Sequence, residues 1–71
     1  MSLIDIQVIE GVYTAKQKAD MIAKITDTMV AIEGEALRGV TWVRVSEFTT
    51  RTWGIGGHPL TTEDVMDMAA G

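Results

Sequence analysis

One long helical stretch stands between two stretches of alternating apolar and polar residues, and little else in this 71-residue chain is long enough to add a second layer. Residues 3 to 9 put Ile4, Ile6 and Val8 on one side and Asp5 and Gln7 on the other, the period-two pattern of a strand with one side buried. Glu10-Gly11 ends it. Thr14-Ala15-Lys16-Gln17 then reads as a capping box: the Thr14 hydroxyl accepts from an orphan backbone N–H while Gln17 reaches back. The helix opened there carries the stripe Ile22, Ile25, Met29 and Ile32, with Lys16, Lys18, Asp20, Lys24, Asp27 and Glu33 largely elsewhere around the cylinder. Gly34 is its stop. A second strand covers Val40 to Phe48, where Thr41, Val43, Val45 and Glu47 alternate with Val40, Trp42, Arg44, Ser46 and Phe48.

Strand, long helix and strand make a β-α-β unit, which requires its two strands to run parallel. The expected class is therefore α/β (α+β), one unit over residues 1–71. Gly54, Gly56, Gly57 and Pro59 mark a hairpin-like segment after the second strand, and Thr61-Thr62-Glu63-Asp64 caps a short terminal helix. A parallel sheet needs both faces covered, yet only one long helix is supplied, so the open face calls for another copy of the chain. Size points the same way. A domain near this length buries only about 60% of the surface its unfolded chain exposes, and with no cysteine the chain has no disulfide to compensate. Self-association through the sheet is the expectation.

The net charge of −4 argues against a nucleic-acid partner, since phosphate binding relies on clustered Lys and Arg. No apolar run approaches the ~18 residues of a membrane span, and the start lacks a signal peptide's basic segment and long apolar core, so a cytoplasmic protein with no membrane partner is expected. Gly54-Ile55-Gly56-Gly57-His58 lacks the Lys-Ser/Thr of a P-loop and the spacing of a dinucleotide fingerprint; a tight turn at positive φ accounts for it. His58 is the one histidine and there is no cysteine, so no metal site is expected. The carboxylates Asp5, Glu10, Glu33, Glu35 and Glu47 show no spacing that selects a catalytic pair.

Trp42, Arg44 and Trp53 form the most informative group, because residues 42 and 44 share a strand face. Tryptophan walls a dry pocket, and arginine grips a carboxylate with two parallel hydrogen bonds. The competing reading is an intersubunit interface in which both tryptophans pack and Arg44 neutralises an acid. A pocket built at such an interface satisfies both.

From Leu3 through Gly57, with Glu10-Gly11, Gln17-Lys18 and Gly54-Ile55-Gly56-Gly57 as its firmest points, the chain resembles the 4-oxalocrotonate tautomerase family. That resemblance implies a β-α-β subunit assembled as a homohexamer, a trimer of dimers. It also implies cofactor-independent shuttling of a proton in small unsaturated 2-oxo or 2-hydroxy acids. The family's base is the amine of an N-terminal proline, its arginines bind the carboxylate and carbonyl oxygen, and an aromatic residue before Gly-Ile-Gly-Gly keeps the site apolar. Carried over by position, Trp53 is that aromatic residue. Val12 and Tyr13 stand where the first arginine would follow Glu-Gly. Arg44 matches the second within Thr41-Trp42-Val43-Arg44-Val45, whereas counting back from Glu47 gives Trp42; we take Arg44.

Ser2 occupies the place of the proline. An ordinary α-amino group titrates near ~7.7–8.0 and serves as a base at neutral pH if its surroundings lower it, so Ser2 acts through a primary amine only once Met1 is gone. With Met1 in place its nitrogen is an amide, and a weak or inactive tautomerase is expected. Two alternatives stand beside this one. The first is a hydratase- or dehalogenase-like member of the same superfamily; the second is a non-catalytic binding or assembly subunit whose companion chain supplies the missing base and arginine.

Overall fold

The computed structural model describes residues 1–71 in the order β1 (Ser2–Ile9), α1 (Ala15–Glu33), a 3₁₀ turn (Glu35–Val40), β2 (Thr41–Phe48), β3 (Trp53–Ile55), β4 (His58–Leu60) and α2 (Thr62–Ala70). β1 and β2 pair in parallel, from Ser2 beside Thr41 to Ile9 beside Phe48. This register brings the two sequence alternations into phase. Ile4, Ile6 and Val8 lie with Val43 and Val45 on the half-buried face beneath α1, while Leu3, Asp5 and Gln7 lie with Trp42, Arg44 and Ser46 on the opposite, exposed face.

The cap of α1 forms as its sequence predicts. Thr14 Oγ1 accepts from the Gln17 backbone N–H at 3.1 Å and Gln17 Oε1 accepts from that of Thr14 at 2.8 Å. At the other end Gly34, at φ 105°, closes the helix by donating to the Val30 carbonyl. The apolar stripe is turned from the one expected. Ile25 and Met29 are half-buried as predicted, but Val30 is buried and Ile32 is 78% exposed. Successive residues turn by about 100° around a helix, so Val30 and Glu33 lie to one side of Met29 and Ile32 to the other. A sheet of two strands is narrower than the apolar arc laid over it, and Ile32 falls outside. The 3₁₀ turn, which no periodicity announces, delivers the chain to Thr41 rather than Val40 as the first residue of β2.

β3 and β4 pair antiparallel across Gly56 and Gly57, whose φ angles of 59° and 84° are what a two-residue hairpin turn demands. α2 carries a second capping box, Thr61 with Asp64. A corner at the end of β1 ties these parts together: the Glu10 carboxylate accepts from the Thr50 N–H at 3.0 Å, and the Glu10 carbonyl accepts from the Thr62 hydroxyl at 2.7 Å. Gly11, at φ +78°, follows with the Thr62 methyl 3.0 Å from where a Cβ would stand.

Only Val8, Ile9 and Val30 are buried, and Leu3 (52%) and Trp42 (59%) stand exposed on the uncovered face of the sheet. A lone copy leaves that face in water, against the pattern of parallel sheets. No helix is long and apolar enough to cross a membrane.

Candidate active site

Ser2 opens β1, and the parallel register seats Thr41 next to it. The C-terminal end of α1 brings Glu33 to both. The Ser2 hydroxyl donates to Glu33 Oε2 at 3.3 Å, the Thr41 hydroxyl donates to Glu33 Oε1, and Thr41 Oγ1 also lies 2.8 Å from the Leu37 carbonyl oxygen. Glu33 takes part in none of the chain's ion pairs. Beside this network Met1, Ser2, Leu3 and Trp42 border an open hollow of about 380 Å³. Since Met1 precedes it, the Ser2 nitrogen is here an amide and carries no basic lone pair.

Arg44 lies two residues beyond Trp42 on the same face and is not free. Its Nε and Nη2 both donate to the Asp5 carboxylate, the residue opposite it in the register, with Nη2 at 3.3 Å from Oδ2. Hydrogen bonding from Arg44 holds the Asp5 carboxyl below the usual carboxylate range, and the same contact raises Arg44. Both remain well exposed, so the pair contributes little to stability.

Trp53 lies at the other end of the sheet. Its ring meets Phe48 edge to face, with centroids 5.9 Å apart. It also walls a second, almost wholly apolar hollow of about 210 Å³ with Ile9, Tyr13, Leu60, Val65 and Met68. Gln7 borders this hollow too; at about 3.3 Å per residue it lies roughly 16 Å along β1 from Ser2. One copy of the chain therefore unites Ser2 with Trp42, leaves Trp53 at the far end of the strand, and holds Arg44 between them. Val12, where a first arginine would follow Glu-Gly, is half-buried. His58 is 72% exposed on β4, 3.8 Å from Asp64.

Sequence reasoning missed two partners, Glu33 and Asp5. Glu33 directly precedes the helix-stopping glycine, a signal that places it at the helix end, but only the strand register puts that end over Ser2. Asp5 is one of five carboxylates that no spacing along the chain distinguishes. Its pairing follows from a register that joins residues 39 positions apart.

Comparison with known proteins identifies the family and the fold. A family model described as tautomerase enzyme matches residues 3–63. A solved crystal structure of apo unfused 4-OT superposes with a TM-score of 0.71 at 26% identity, covering 89% of this chain and 97% of that one. No curated protein matches.

Proposed function

The chain belongs to the tautomerase family, and on that footing we propose that it moves a proton within a small unsaturated 2-oxo or 2-hydroxy acid, at a site completed only when copies of the chain assemble. The match over residues 3–63, which spans both strands and the helix between them, is the observation that carries this reading.

In the proposed reaction the Ser2 amine, freed by removal of Met1, takes the enol proton of the substrate. The carbonyl double bond forms, the carbon–carbon double bond shifts, and the proton returns to carbon. Nothing is oxidised or reduced, and no cofactor enters. Arg44 grips the substrate carboxylate by exchanging it for Asp5, and Trp42 and Trp53, from different copies, keep water away from the charges that develop. A homohexamer built as a trimer of dimers is the assembly the family resemblance supports. The Met1-bearing form is weak or inactive, because an amide nitrogen cannot accept the proton. The test is ketonisation of a simple 2-hydroxydienoate, followed by its ultraviolet absorbance. Met1-free protein and a Met1-free Ser2→Pro variant should exceed the Met1-bearing form by on the order of 10²-fold or more, the contribution expected of a positioned general base. Equal rates in all three would defeat the reading.

Two observations favour a second reading: Val12 stands in place of the first arginine, and Arg44 is already paired with Asp5. Under it the chain binds a carboxylate without turning it over and relies on a companion chain for chemistry. Turnover by the purified chain alone would exclude it.

A further inference from the structure

The match to the tautomerase family ends at residue 63, within the first turn of α2, so most of this helix is not explained by family likeness. It is nonetheless built into the fold. Thr61 and Asp64 close its capping box, each backbone N–H lying 3.0 Å from the other's side-chain oxygen. Thr62 fixes the helix to the corner after β1, donating its hydroxyl to the Glu10 carbonyl at 2.7 Å and its N–H to Thr50 Oγ1 at 3.1 Å.

This anchoring decides which face of α2 meets the rest of the chain. Val65 and Met68 are three residues apart and so share a face. Both line the hollow of about 210 Å³ beside Trp53, Tyr13 and Leu60. Val65 is half-buried, and Met68, 62% exposed, stands at the rim. All these residues belong to one chain, so every copy carries the hollow however the copies assemble.

We propose that α2 is a specificity wall: Val65 and Met68 seat an uncharged hydrocarbon tail at the end of the substrate remote from its carboxylate, so that acids carrying such a tail are preferred. This rests on the proposed function, which sets Trp53 beside the substrate. The chemistry of the lining selects the tail. Apart from Gln7 the hollow is bordered by hydrophobic residues, and a methylene moved from water onto such a surface strengthens binding by up to about fourfold. Methionine, unbranched and adaptable, suits a rim that must close over tails of differing shape.

The test is calorimetric titration of the assembled protein with 2-oxobutanoate, 2-oxopentanoate and 2-oxohexanoate, which share one head and lengthen by a methylene at a time. Affinity is expected to rise by about two- to fourfold with each methylene. Met68→Gln, which keeps the side chain's length, and Val65→Thr, which keeps its shape, each reduce that step, and the double variant abolishes it. A helix that only braced the corner would, when altered, weaken all three acids by the same factor. If the Val65 variant does not fold, Met68→Gln at the exposed rim carries the test alone. A parent series without tail dependence, the result expected if another copy of the chain fills the hollow, overturns the proposal, as does a dependence that survives the substitutions. The titration needs no turnover: a steep series without ketonisation of any 2-hydroxydienoate would sink the proposed function alone, and ketonisation with a flat series would sink only the role of α2.

Discussion

Arg44 forks onto Asp5 directly across the parallel register of β1 and β2, on the sheet face that α1 leaves uncovered. A guanidinium held in this way is already oriented for a planar carboxylate, and the proposed function has the substrate displace its present partner.

Replacing that partner should therefore strengthen binding. Asp5→Asn is expected to tighten the affinity for a simple unsaturated carboxylate several-fold in calorimetric titration, and Arg44→Ala to abolish it. Unchanged affinity in both variants would remove Arg44 from the site.

The same pair has a pH signature. Arg44 depresses the Asp5 carboxyl, so whatever stability the pair contributes is present above the unfolded value near ~3.9 and is lost as pH falls through the lower folded value. The contribution is small because both groups are exposed. Asp5→Asn should accordingly be slightly less stable than the parent protein at pH 7, and the difference should close as pH falls below about 4; a difference that persists unchanged at lower pH would mean that the ion pair is not its source.

At the corner after β1, Gly11→Ala meets two obstacles at once, φ +78° and the Thr62 methyl 3.0 Å from the added carbon. A left-handed backbone costs an L-residue about 1–2 kcal/mol, and each kcal/mol lowers Tm by about 4–8 °C in a domain of this size. Thermal unfolding followed by circular dichroism checks this. An unchanged Tm would mean that the corner relaxes without cost.

Trp42 is 59% exposed in a single copy and lies on the face that assembly is proposed to cover. In a Trp53→Phe variant, whose only remaining tryptophan is Trp42, emission should be blue-shifted at high protein concentration and move to the red as the sample is diluted into single copies. Emission that does not depend on concentration and stays red throughout would leave Trp42 in water and outside any interface.

Much of this fold is legible in the sequence because its signals are local. The alternations around Ile4-Ile6-Val8 and Val43-Val45, the Thr14–Gln17 box and the Gly34 stop each act within a few residues, and each forms where it is expected. The failures arise where geometry is set at a distance. Ile32 fits a helical stripe but overhangs a sheet only two strands wide. The 3₁₀ turn over Glu35–Val40 has no period to announce it. Asp5 and Glu33 gain their partners from a register between strands, which no spacing along the chain encodes.

The central claim is that no single copy holds a complete site, since Ser2 and Trp53 lie at opposite ends of β1. Light scattering coupled to size exclusion tests it most directly. The account predicts one stable species at about six times the 7.7 kDa chain mass; a folded monomer at 7.7 kDa that persists at high concentration would contradict it.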